Sequence, residues 1–314
     1  MNIFQLSERV RENIGRVIVG HADTAELLLT GLIAGGHVLL EDVPGTGKTV
    51  LAKSLARSLA CDFSRIQFTP DLLPSDITGS SVYSMQTGEF SFHPGPVFTH
   101  ILLADEINRA TPRTQAALLE CMEERQVTEG GVTHPLERPF MVLATQNPVE
   151  IQGTFPLPEA QLDRFLMRLT PGYPDTEEAL MILNRFIREE PLDTLAPVAS
   201  REDILAAQDT FRETRVSEPV RAYIVALCEK TRTLENVSLG VSPRGMLALL
   251  RAGQALACVR GRSFVTPDDV QALAEPVLAH RIIVRSLFGA ADAAKAVVRD
   301  VVAAVPVPTE TIDP

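Results

Sequence analysis

Residues 38–49 read VLLEDVPGTGKT, an apolar run suited to a buried strand that ends in a glycine loop with Lys48 and Thr49. A strand that closes on such a loop and turns straight into a helix is the opening unit of a parallel α/β sheet. Glycines tolerate left-handed dihedrals, so the backbone N–H groups of Gly45, Thr46 and Gly47 can turn inward around a phosphate. The helix beginning near Lys48 adds the positive end of its dipole. In this pattern Lys48 suits the β- and γ-phosphates, and the Thr49 hydroxyl suits Mg²⁺. A second apolar run, 101–104, ends in Asp105 and Glu106. Asp105 is placed to hold the metal through water, and Glu106 to orient and polarise an attacking water. Together the two segments predict hydrolysis of a nucleoside triphosphate, ATP.

Blander readings exist for each half. A GTGKT string can sit in a surface turn, and Asp42 stands where the G-x-x-x-x-G-K-[ST] pattern has its first glycine. Glu106 alone could be a solvated acid. Against this, a strand precedes the loop and a helix with Leu51, Leu55 and Leu59 follows it. The acids also end a strand, where open α/β sheets bind ligands.

With 314 residues the chain is long for one simple domain and suits two. Its hydrophobic content of 45% supports real cores. The longest apolar stretch, 27–40, is broken by Thr30, glycines and His37, so no transmembrane segment is expected. The N-terminal pattern, with Glu8, Arg9, Arg11 and Glu12, has no signal-peptide core, which predicts a cytoplasmic protein. Cys61, Cys121, Cys228 and Cys258 show neither disulfide nor metal spacing and read as small core residues. A net charge of −11 without a Lys/Arg cluster weighs against nucleic acid as a partner.

Helices are expected at 6–18 and around Leu27–Leu32, joined by the Val17-Ile18-Val19-Gly20 turn. Strands are expected at 37–41, 64–68, 100–104 and 140–145, with helices at 49–60 and 112–124. This alternation predicts a parallel sheet covered on both faces. Thr111-Pro112 reads as a helix start. Segments 82–92, around Thr87-Gly88, and 126–136, around Gly130-Gly131, read as β-hairpins, either decoration or arms that convert hydrolysis into motion. Pro171, Pro174, Pro191 and Pro197 punctuate a connector. Beyond it, helix starts at Ser200, Ser217, Ser242 and Thr266 predict an all-helical domain. The expected domains are an α/β core over 1–190 and a helical lid over 191–314, with the last ten or so residues frayed.

Three further residues draw attention. Asn147 ends a strand beside the acids, where it can bond the attacking water or simply start an Asn-Pro turn. Arg244 lies in the first turn of a capped helix, where the dipole mildly opposes a cation, which suggests a role other than stability. Arg164 can pair with Asp163 or Glu159, or project as an arginine finger into a neighbour's site.

These residues sit in long strings: EDVPGTGKT (41–49), FTPDLLPSDITG (68–79), PGPVF (94–98), LADEINRATP (103–112), ATQNP (144–148), PEAQLDRF (158–165) and SPR (242–244). The set resembles AAA+ ATPases, and more narrowly the MoxR family, over nearly the whole chain. The resemblance implies a Walker A loop at Lys48 and Thr49 and a Walker B strand at Asp105 and Glu106. It further implies sensor 1 at Asn147, an arginine finger at Arg164 (with Arg168 one turn on) and sensor 2 at Arg244. Val19, Gly20, Pro44 and Val50 complete the expected nucleotide-binding set. It also implies a hexameric ring, a von Willebrand A domain partner, and chaperone-like remodelling of protein clients in metal-cofactor insertion or complex assembly. The expected cycle has a neighbour's Arg164 closing the site and Arg244 sensing the γ-phosphate, so that hydrolysis turns lid against core and moves the hairpins. Two rivals stay open: a nucleic-acid motor of the same clade, and a nucleotide-gated scaffold with incidental turnover.

Overall fold

A computed structural model describes the chain except residues 42–44, 87, 148–152, 188–189, 286–289 and 310–314. Pro44, Thr87, Pro148 and the end of the expected frayed tail lie outside the described residues. Helices α1 (Ile3–Gly15) and α2 (Ala22–Ile33) precede strand β1 (Val38–Glu41), which leads to α3 (Lys48–Ser58) and β2 (Phe63–Gln67). Next come α4 (Pro74–Thr78), the hairpin β3 (Gly79–Tyr83) and β4 (Phe90–Pro94), and β5 (Ile101–Asp105). Helix α5 (Pro112–Glu124) leads into a second hairpin, β6 (Gln126–Glu129) and β7 (Val132–Pro135), then β8 (Met141–Gln146), α6 (Glu159–Leu162) and β9 (Met167–Leu169). The rest comprises α7 (Thr176–Phe186), α8 (Arg201–Thr210), α9 (Glu218–Arg232), β10 (Val237–Leu239), α10 (Pro243–Val259), α11 (Pro267–Leu278), β11 (Ile283–Val284) and α12 (Ala290–Ala304).

The central sheet has five strands in the order β2-β5-β8-β1-β9, all parallel. Side chains alternate across it, as a pleated strand requires. Leu39, Leu102 and Val142 face a core shared with Leu118 and Leu119 of α5. Val38, Leu40, Ile101, Leu103 and Leu143 face a second core with α1, α2, α3 and the C-terminal helices. The three leucines expected on one face of α3 are all buried.

Both hairpins form, in antiparallel register. At the base of the first, Gly79 (φ +90°) and Gly95 face each other, and a Cβ on either would strike the other's backbone. Ser200, Ser217, Ser242 and Thr266 cap the expected helices, each accepting from a backbone N–H three residues on. The C-terminal region is helical and also carries a two-stranded ladder, β10-β11. Other elements also depart from expectation, among them α1, which runs Ile3–Gly15 rather than 6–18. The proline-punctuated connector contains α7, started by an Asp175–Glu178 capping box. Strand β9, too short to show a pattern, adds an edge to the sheet beside β1.

His37 pins the start of β1. Its Nδ1 accepts from the Val142 N–H at 2.9 Å, and Nε2 lies 3.0 Å from the Met122 carbonyl. Burial lowers its pKa to about 4, which keeps the ring neutral, as those two bonds require.

Candidate functional site

Because the sheet is parallel, every strand ends on the same edge, and the predicted phosphate loop and acids meet there. Gly45 (φ +89°) and Gly47 (φ +83°) adopt left-handed backbone between β1 and α3, and Gly47 is the N-cap of α3. Among the described residues, nothing lies within 4 Å of the position a Cβ would take on either. Thr46, Lys48, Thr49 and Val50 follow, each half-buried, in the loop and first turn.

Asp105 ends β5, and Glu106 next to it is held in left-handed backbone at φ 55°, ψ 50°. That conformation is strained for a non-glycine residue and persists where its surroundings enforce it. The enforcement comes from Thr145 on β8. Its hydroxyl donates to Asp105 Oδ1 at 2.6 Å and accepts the Glu106 N–H at 2.8 Å. One buried oxygen thus fixes both acids. Asn147, also buried, follows directly after β8 on the same edge.

Neighbouring β2 supplies three further contacts. Arg65 binds Asp105 Oδ2 through both Nε (3.2 Å) and a terminal nitrogen (2.6 Å). It also donates to Gln67 at 2.9 Å, and Gln67 donates to Glu106 Oε2 at 2.8 Å. Arg109 meets the same Oε2 at 2.9 Å. Arg65, Gln67, Arg109 and Thr145 were not singled out by the sequence reading. The polar-apolar-polar run Arg65-Ile66-Gln67 at a strand end was the available signal.

The two arginines expected to sense phosphate lie elsewhere. Glu123, at the end of α5, takes Arg164 at 2.7 Å and Arg244 at 3.2 Å, and Arg244 also stands 3.6 Å from Asp163. They line a cleft with Gly35 and His37, which precede β1. This is the edge where strands begin, across the sheet from Lys48. Arg164 therefore pairs with Glu123 rather than Asp163 or Glu159. The other finger candidate, Arg168, is buried in β9 with its guanidinium 3.7 Å from Glu41. Val19 and Gly20 sit between α1 and α2, where a Cβ on Gly20 would meet the Glu178 carboxylate at 2.5 Å. The Val19-Gly20 turn thus lies against the start of α7.

A five-stranded parallel sheet ending in a glycine loop and paired acids, with two hairpins and a helical lid, defines an AAA+ ATPase. A family model for the "ATPase family associated with various cellular activities (AAA)" matches residues 37–167, and one for the "AAA lid domain" matches 229–301. The chain is 51% identical to the uncharacterized protein YeaC of Bacillus subtilis, over 95% of this chain and 94% of that one. It is 44% identical to Chaperone MoxR1 of Mycobacterium tuberculosis, over 88% and 75%. A crystal structure of a candidate ATPase from Cytophaga hutchinsonii superposes with TM-score 0.89 at 38% identity, covering 98% of this chain and 96% of that one. The chain belongs to the MoxR family of AAA+ ATPases.

Proposed function

We propose that this protein hydrolyses ATP with Mg²⁺ in a homo-oligomeric ring, a hexamer, and uses the cycle to remodel protein clients alongside a von Willebrand A domain partner. The observation that carries the reading is the Asp105–Thr145–Glu106 cluster beside the glycine loop. Lys48 and the N–H groups of the loop bind the phosphates, with Pro44, Val50, Val19 and Gly20 framing the nucleotide. The hard oxygens of Thr49 and Asp105 fit Mg²⁺, and Arg65 already sets a positive charge against Asp105. A Mg²⁺ held by those oxygens would supply neutralisation of the charge that develops on the phosphates. Glu106 takes the proton of the attacking water, with its Oε2 held by Gln67 and Arg109. Asn147 orients that water.

The position of Arg164 and Arg244 on the opposite edge supports their acting on a neighbouring subunit's nucleotide, both in trans. One relative, named a chaperone, supports the remodelling role. Neither hairpin contains a lysine or arginine, which disfavours a nucleic-acid motor. Among the described residues no helix is long and apolar enough to cross a membrane, and the cysteines are free, which suits a cytoplasmic location.

Glu106→Gln should bind ATP yet lose turnover by about a hundredfold or more, and Lys48→Ala should lose nucleotide affinity. Arg164→Ala should be inactive alone and regain activity when mixed with Lys48→Ala, whose own Arg164 is intact. Normal turnover in Glu106→Gln would remove the assigned base. Failure of the mixture, with assembly intact by size-exclusion chromatography, would remove the trans finger.

A further inference from the structure

The cleft at the strand-start edge encloses about 300 Å³ and is rich in arginine: Arg125, Arg164, Arg244, Arg251 and Arg281 all line it. Its acids are Glu123 and Asp163. Asp163 is engaged by the buried Arg281 at 2.7 Å. Glu123 therefore provides the short contacts to both Arg164 and Arg244, one carboxylate oxygen to each. Two guanidiniums converging on the two oxygens of one anion is the arrangement in which they would also receive phosphoryl oxygens. Helix stability does not account for the acid. Glu123 lies in the last turn of α5, where the dipole disfavours negative charge.

We propose that Glu123 is an internal competitor for the neighbouring subunit's γ-phosphate. It gathers Arg164 and Arg244 while no nucleotide faces them, and yields them when a more highly charged phosphate arrives. The inference rests on the trans reading of those two arginines. Glu123 is 36% exposed, so once released its carboxylate returns to water at little cost. Each pair is also exposed enough to be exchanged rather than locked.

The test is steady-state ATP hydrolysis over a range of ATP and subunit concentrations, for wild type, Glu123→Gln, Glu123→Asp and Arg164→Ala. Glutamine keeps the shape and removes the charge. It should lower the ATP concentration for half-maximal turnover by about threefold to tenfold, the worth of two partly exposed ion pairs. Its kcat should stay within about twofold of wild type. Glu123→Asp keeps the charge and should stay close to wild type. An unchanged KM in Glu123→Gln would overturn the proposal. So would a fall in kcat at constant KM, because Glu123 would then align the arginines instead of withholding them. If Arg164→Ala turns over like wild type, the trans reading itself has failed. If Arg164→Ala is inactive and Glu123→Gln matches wild type, only the competitor role falls.

Discussion

Thr145 shows how little chemistry separates a folded acid pair from a working one. Its hydroxyl is the bond from β8 to both the Asp105 carboxylate and the Glu106 amide, and it holds Glu106 in its strained backbone. Thr145→Val keeps the shape and removes the oxygen, leaving a partly buried N–H without that acceptor, at a cost of about 1–3 kcal/mol. Turnover should fall by at least about tenfold, because the proposed base, Glu106, is no longer held at its angle to the phosphate. Binding of a fluorescent ATP analogue should stay near wild type, since the loop is untouched. If urea unfolding shows the stability loss while turnover persists, the hydroxyl serves the fold alone. The same residues show what could be read in advance. Lys48, Thr49, Asp105 and Glu106 are legible because each sits at a strand or helix end that its own neighbours announce. Arg65, Gln67 and Thr145 reach acids 39 or 40 positions away, and no local pattern carries that pairing.

Element ends were the most legible part of the fold, because caps are local chemistry. Thr111-Pro112 opens α5, and four Ser or Thr caps open the lid helices, where the side chains are chosen for their hydrogen bonds. Strand β9 is the counterexample. Its three residues centre on Arg168, a charge in an edge strand whose guanidinium stands 3.7 Å from Glu41 of β1. The hairpins were visible as turns, but not their joining. Phe92 on β4 stacks on His134 of β7, with ring centroids 4.0 Å apart, and packs edge-on to Phe98. The first hairpin is thereby fastened to the second, which follows α5, the helix that starts six residues beyond Glu106. Phe92→Ala should leave each ladder paired and remove this fastening, worth about 1 kcal/mol. Amide hydrogen exchange over 126–135 should then quicken by about fivefold. Exchange confined to 90–94 would mean the hairpins move independently.

Across the whole molecule, one hydrophobic cluster runs from Leu28, Leu29 and Leu32 of α2 to Leu249, Ala252 and Leu256 of α10, with no seam between core and lid. Arg281 reinforces it, reaching from the turn after α11 to the carbonyls of Asp163, Phe165 and Leu166 and to the Asp163 carboxylate. Burial lowers the Arg281 pKa and Asp163 opposes that, so its charge is kept inside only by these partners. A rotation of lid against core within one subunit would open apolar surface at about 25 cal/mol per Å², a heavy cost for a cycle driven by one nucleotide. In the proposed ring, the motion that hydrolysis drives is better placed between subunits, at the edge that carries Arg164 and Arg244. The core and lid of one subunit should accordingly unfold together. Leu249, fully buried in α10, tests this: Leu249→Ala should cost about 2–5 kcal/mol. It should shift the urea midpoints of a fluorophore at Ser64 in β2 and another at Glu229 in α9 by equal amounts, in one transition. If only the α9 probe shifts, the lid is a separate cooperative unit, and turning it against the core becomes the cheaper motion.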